Sequence, residues 1–223
     1  MSSQVSKKSL KFLKDLSKNN DRDWFAEHKP RYQTALSEFK DFIADVETGI
    51  QEIDEIEKTK VFRVYRDVRF SKDKSPYKSF FSASFTRAGK YRRGGLYLAI
   101  EPDKAMVGGG FWGPESKDLK FIREGIIREE EAYRQLIEGE DINEFFGGIE
   151  GNALKTAPRG FDKQHPAVDL IRNKQYLLMK HYDADRVVSL DFASTVVSTF
   201  RKMLPYFNFM SELLVFDENG IER

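Results

Sequence analysis

The sequence has no cysteine and only three histidines, His28, His165 and His181. Without cysteine, the chain can form neither a disulfide nor a thiolate zinc site, and it has no iron–sulfur ligand and no thiol nucleophile. Three histidines spread over 223 residues also give little basis for a histidine-rich metal site. We therefore expect neither a metal nor a cofactor.

Long apolar runs are missing as well. Bilayer-spanning helices need about 18 to 20 predominantly apolar residues, and no segment of this sequence approaches that length. Residues 1–8 are mostly polar and lack the apolar stretch of a signal peptide. These absences predict a cytoplasmic protein that has no membrane partner.

Charge is balanced over the whole chain but not along it. The 37 Lys and Arg stand against 36 Asp and Glu, which gives a formal net charge of +1. Residues 58–93, the basic segment, hold twelve Lys and Arg and two Asp, so they carry +10 and the other 187 residues carry −9. The overall charge of +1 excludes a uniformly basic nucleic-acid coat protein. The concentration of positive charge in the basic segment makes that segment the first candidate for a functional site.

The periodicity of the apolar residues predicts an α+β fold. Steps of three and four over 7–18, 32–53, 116–127 and 191–204 are typical of amphipathic helices, and Pro205 should break or kink the last one. Strands are predicted at 61–65, 81–85, 96–100, 105–111 and 175–182. Short links favour an antiparallel meander. We expect one domain over residues 1–223, with the N- and C-terminal helices packed on one face of the sheet.

The centre of the basic segment, residues 63–78, interleaves cations with hydroxyl groups and aromatic rings. Phosphate and carboxylate ligands suit this mixture, because Arg offers a planar pair of donors, Lys a mobile charge and Ser a short neutral donor. If the first strand continued through residue 69, Arg63, Asp67 and Arg69 would share one face and Arg66 would lie on the other. Asp67 and Asp73 can orient the cations or hold a divalent ion beside a phosphate.

We therefore predict an anion-binding site whose ligand bears phosphate. The candidate ligand-binding residues are Arg63, Arg66, Asp67, Arg69, Ser71, Lys72, Lys74, Tyr77, Lys78 and Arg159. Arg159 is included because it lies between Pro158 and Gly160, where a stiff loop can present its side chain to the site.

Several of these residues also carry a family resemblance. The chain has Asn19-Asn20-x-x-x-Trp24-Phe25, then Arg66-Asp67-x-Arg69-Phe70-Ser71-Lys72-Asp73-Lys74-x-Pro76-Tyr77-Lys78, and later Leu154-Lys155-x-x-Pro158-Arg159-Gly160-Phe161 with His165-Pro166. This pattern resembles the bacterial and fungal family known as domain of unknown function 2461, over nearly the whole chain. The resemblance implies a single globular domain of about this size, and it assigns no reaction.

Three other functions stay open at the level of sequence. The chain can be an enzyme that hydrolyses or transfers a phosphoryl group, with Asp67, Asp73, Glu101 and His165 as catalytic candidates. It can bind nucleic acid, with Tyr65, Phe70 and Tyr77 available to stack on bases. The basic segment can also be purely structural, with its cations neutralised by the acidic helix face within residues 41–57. The oligomeric state is left open.

Overall fold

A computed structural model describes residues 3–69, 71–217 and 219–222 of the chain. Within these residues the helices are α1 (Lys7–Lys18), α2 (Arg22–Glu27), α3 (Lys29–Gln51), α4 (Ser116–Arg128), α5 (Glu130–Glu138), α6 (Val168–Ile171), α7 (Ala184–Val187) and α8 (Phe192–Val215), with a π-helical segment at Glu140–Glu144. The strands are β1 (Ile56–Val61), β2 (Phe81–Arg87), β3 (Gly95–Ile100), β4 (Lys104–Phe111) and β5 (Tyr176–Asp183).

The five strands form one antiparallel sheet in the order β1-β2-β3-β4-β5, so neighbours in the sheet are also consecutive in the sequence. Only residues 101–103 separate β3 from β4, which is too short for anything but a tight antiparallel turn. The predicted α+β class, the meander and the helices at both ends of the chain are confirmed.

Local side chains explain where the first helices begin. The Ser6 hydroxyl accepts a hydrogen bond from Ser9 N at 3.2 Å and caps α1. Asp21 Oδ1 accepts from Trp24 N at 2.8 Å and caps α2. Such caps satisfy amide groups that have no partner within the first turn of a helix.

The first predicted strand is placed differently in the structure. β1 covers Ile56–Val61, and its ladder ends where Phe62 N donates to Ser82 O at 2.9 Å. The strand predicted at 61–65 is therefore misplaced, and no strand in the described part of the chain runs through residues 63–69, so the condition for a shared face of Arg63, Asp67 and Arg69 is not met. The physical reason is that β2 begins only at Phe81, which leaves residues 63–80 without a continuous partner strand.

Pro205 neither breaks the last helix nor ends it. α8 continues from Phe192 to Val215 with Pro205 inside it. An interior proline costs about 3 kcal/mol, but Met203, Tyr206 and Phe207 around it are fully buried. Their packing holds both halves of α8 in helical geometry.

The contacts divide the chain into two compact units, and each is described by itself. The first unit comprises Met1–Thr86, Tyr97–Val107 and His181–Thr199. Its core is rich in aromatic rings: Phe39 stacks on Phe81 at 5.3 Å and Phe42 on Phe192 at 5.6 Å between ring centroids. The prediction of one domain over residues 1–223 stays a prediction.

The second unit comprises Arg87–Leu96, Gly108–Lys180 and Phe200–Arg223. The ring of Phe207 in α8 packs directly against Gly94 and Gly109, and a Cβ at either position would collide with it. This close packing explains why both positions are glycine. Arg123 of α4 donates from Nε to Ile171 O at 2.9 Å and from Nη2 to Asn173 O at 3.0 Å. None of the helices among the described residues has the length and apolar character needed to cross a membrane.

Candidate functional site

Residues 62–80, here called the basic loop, connect β1 to β2 and belong to the first unit. The loop is closed by an antiparallel bridge between Tyr65 and Tyr77. Arg66 N donates to Pro76 O at 2.9 Å, and Lys78 N donates to Val64 O at 2.7 Å. The loop is therefore a hairpin-like projection with a defined base.

Asn20 fixes the base of the basic loop from a distant part of the chain. Its Nδ2 donates to Tyr77 O at 2.9 Å and its Oδ1 accepts from Tyr77 N at 3.1 Å. The Tyr77 ring stacks on Phe25 at 4.0 Å between centroids, and Tyr77 is only 6% exposed. Tyr77, predicted as a ligand donor, thus serves as the anchor of the loop.

The tip of the basic loop contains two arginine–aspartate pairs. Arg66 Nη1 donates to Asp73 Oδ2. Arg69 binds Asp67 with both Nε and Nη2, at 2.9 and 2.6 Å, and Lys74 Nζ donates to Val68 O at 2.9 Å. Both pairs lie within the loop. The hypothesis that the basic segment is purely structural had instead predicted partner carboxylates on residues 41–57.

Both carboxylates are held in the ionised form. Hydrogen bonds from Arg69 lower the pKa of Asp67. Hydrogen bonds from Ser75, followed by the one from Arg66, lower the pKa of Asp73 to about 2. General acid–base catalysis works best with a pKa near the working pH, so both groups are poor catalysts at neutral pH and good supports for arginine.

Asp73 should therefore titrate near pH 2 in the folded protein, below the ordinary value of 3.8. Because folding depresses this pKa, the contribution of the Asp73 contacts to loop order is fully present above about pH 4 and disappears as the pH falls through 2. Carboxyl-carbon NMR shifts measure the midpoint, and Ser75→Ala should move it back toward 3.8. A wild-type midpoint near 3.8 would contradict the contacts described here.

Four of the six cations of the basic loop, Arg63, Lys72, Lys74 and Lys78, stand outside the two arginine–aspartate pairs. Within the described residues, the side chains of Arg63 and Lys72 make no salt bridge or hydrogen bond, although Arg63 is close enough to help lower the pKa of Asp67. Lys78 lies over the Phe62 and Phe80 rings at 5.5 and 5.8 Å. With six cations and two carboxylates, the loop carries a net charge of +4.

The remaining predicted residues are distributed over both units. Ser71 is half-buried near the tip of the loop, and Glu101 lies 3.8 Å from Lys104 Nζ in the turn between β3 and β4. Arg159 is exposed on its own loop in the second unit. His165, also in the second unit, accepts from Ala167 N at 3.1 Å through Nδ1. Phe70, predicted to stack on bases, lies outside the described residues.

The C-terminal end of the basic segment is structural. Arg87 is 3% exposed and donates to Arg93 O at 3.1 Å and to Asn208 Oδ1 at 2.9 Å. Lys90 pairs with Glu222, and Arg93 pairs with Asp118. These three cations therefore have internal partners, unlike Arg63 and Lys72 of the basic loop.

Two cavities outside the loop differ in the charge of their linings: the first lining is mixed, and the second has Glu212 as its charged residue. One of about 430 Å³ is lined by residues of α1 and α3, including Lys8, Arg31, Asp15 and Glu38. Arg31 Nη2 already binds Asp15 at 2.7 Å. The other, of about 340 Å³, lies in the second unit beside Tyr91, Glu212 and Phe216. Neither concentrates positive charge as the basic loop does.

Sequence reasoning missed two features of the site. Asn20 belongs to a motif that the sequence shows, but its two hydrogen bonds to Tyr77 were not predicted. Phe62, with Lys60 Nζ 5.0 Å from its ring centroid, was not singled out because it lies within the strand predicted at 61–65 and breaks no pattern. The contact of Asn20 joins residues that are 57 positions apart in the sequence, which no local pattern reveals.

The comparisons with known proteins agree with the motifs. A comparison with curated proteins found no match. A family model described as "Conserved hypothetical protein (DUF2461)" matches residues 8–209. The matched range includes the basic loop, Asn20 at its base, and Arg159. Since the match covers most of the 223 residues, the chain belongs to the DUF2461 family.

Proposed function

We propose that the protein binds a phosphate-bearing ligand at the basic loop. The observation that carries this proposal is the fixed loop with a net charge of +4, in which Arg63 and Lys72 lie outside the internal pairs. Like charges held this close repel one another, and an anion relieves that repulsion.

The two aspartates support such a role by fixing the arginines. A guanidinium has five N–H donors, and Arg66 uses only Nη1 for Asp73 in the described structure. Its other donors are free to bind an oxyanion in a fixed orientation, which lowers the entropy cost of binding. Arg69 gives both Nε and Nη2 to Asp67, so we assign it to the support of the loop.

The same geometry argues against a reaction centred on the loop. Asp67 and Asp73 are ionised and bound to arginine, so neither is suited to general acid–base catalysis at neutral pH. The loop projects from the end of β1, and the two cavities described above are lined by other residues. Binding is therefore the function that the loop supports best.

The proposal is tested with inorganic tripolyphosphate as the probe and the double variant Arg63→Gln/Lys72→Gln. Each lost contact near the surface contributes about 0.7 kcal/mol, so affinity should fall about tenfold. Isothermal titration calorimetry at low salt measures the change.

The matched control is Lys14→Gln/Arg201→Gln, which removes the same charge from exposed positions on α1 and α8. It should leave the affinity within about twofold of wild type. If the two double variants weaken binding equally, only the overall charge matters and the proposal fails. Absence of tripolyphosphate binding by the wild-type protein would reject it as well.

A further inference from the structure

The outer face of the sheet in the first unit carries two half-buried aromatic rings beside the basic loop. Phe81, Ala83 and Phe85 of β2 point into the core, with at most 1% exposure, so Ser82 and Ser84 point to the opposite face. In β3, Tyr97 alternates with the buried Leu96 and Leu98 in the same way.

Small side chains on β2 leave room for these rings to meet. Phe62 pairs with Ser82 through the backbone, at 2.9 Å from N to O, and so lies beside it on the outer face. The Phe62 and Tyr97 ring centroids are 6.2 Å apart, although β2 separates their strands in the sheet. Ser82 is 2% exposed, in keeping with rings that lean over it.

Two lysines lie over the Phe62 ring. Lys60 Nζ lies 5.0 Å and Lys78 Nζ 5.5 Å from the centroid of Phe62, and Lys78 also belongs to the basic loop. The outer face thus joins aromatic surface to a strongly positive loop within one unit.

We infer that this face binds single-stranded nucleic acid, with phosphates at the basic loop and unstacked bases against Phe62 and Tyr97. The inference rests on the proposed function, because the same cations receive the phosphates. A free phosphate or a polyphosphate has no group that would use the rings. Bases have flat π-faces, and the lysines provide the charge that the backbone requires. A duplex keeps its bases stacked and paired, so single strands fit better.

The test compares three probes on wild-type protein: fluorescein-labelled oligothymidylate, an abasic oligomer with the same number of phosphates, and tripolyphosphate. Oligothymidylate should bind about tenfold more tightly than the abasic oligomer, because stacking adds to the phosphate contacts. Phe62→Leu should remove most of that difference and leave abasic binding unchanged. Phe62→Trp should retain it.

The matched control is Phe121→Leu on α4, where Lys117 Nζ also lies over the ring, at 5.5 Å. It should bind oligothymidylate like the wild-type protein, and circular dichroism confirms that each variant is folded. Equal binding of oligothymidylate and the abasic oligomer, with tripolyphosphate still bound, would overturn the inference and leave the proposed function intact. Failure of all three probes to bind would overturn both.

Discussion

Reversing Arg63, Lys72 and Lys74 to glutamate should reduce tripolyphosphate affinity by more than about a hundredfold. The three changes convert the charge of the basic loop from +4 to −2, so attraction becomes repulsion at the binding surface. Each charge close to the ligand contributes about 1 kcal/mol to binding at a solvated surface. Replacing a positive charge by a negative one removes an attraction and adds a repulsion, so its effect is about twice as large. Titration calorimetry or fluorescence competition at low salt measures the loss.

This variant keeps most of the framework of the loop and removes one internal contact, the hydrogen bond from Lys74 Nζ to Val68 O. It keeps the Arg66–Asp73 and Arg69–Asp67 pairs and the hydrogen bonds between Asn20 and Tyr77. The thermal unfolding midpoint should therefore change little. The control Lys14→Glu/Lys163→Glu/Arg201→Glu alters net charge equally at exposed positions elsewhere. Comparable loss of affinity in this control would show that ligand binding does not depend on the basic loop.

Gly110→Ala should lower the free energy of unfolding by about 3 to 5 kcal/mol, the sum of backbone strain and overpacking. Gly110 has a φ of 137°, which L side chains rarely adopt. A Cβ at this position would lie 2.2 Å from Tyr176 O and 2.9 Å from Leu177 Cα of β5. These are backbone atoms of a buried strand, so they cannot move aside without disrupting it.

Gly113→Ala is the matched control for Gly110→Ala. Gly113 also has a positive φ, of 67°, but no atom lies within 4 Å of the position of a Cβ. Only backbone strain remains, and the cost should be about 1 kcal/mol. Urea denaturation followed by circular dichroism compares the two variants. Equal costs would show that β4 and β5 do not approach as closely as described.

Periodicity predicted the elements whose side chains are buried by their own pattern. α1 buries Leu10, Leu13 and Leu16, and β2 buries Phe81, Ala83 and Phe85, so steps of three to four and of two were visible in the sequence. Of the two outcomes predicted at Pro205, a break or a kink, the break does not occur, because the buried residues around it hold the helix together.

The basic loop could be located from the sequence but not constructed from it. Its density of cations was visible, yet its shape depends on Asn20, which lies 57 residues from Tyr77. The pairs Arg66–Asp73 and Arg69–Asp67 are likewise set by how the chain turns at the tip. No period of two or 3.6 encodes such contacts, so the sequence pattern could not reveal them.

A solution NMR titration of the wild-type protein with tripolyphosphate tests the central claim most directly. Backbone amide and arginine Nε signals are followed together. We expect saturable shifts concentrated in residues 63–78, with Arg63 and Arg66 Nε among the largest, and weaker shifts at higher salt. Shifts concentrated instead around the cavity lined by Lys8, Arg31 and Glu38, with the basic loop unchanged, would contradict the account.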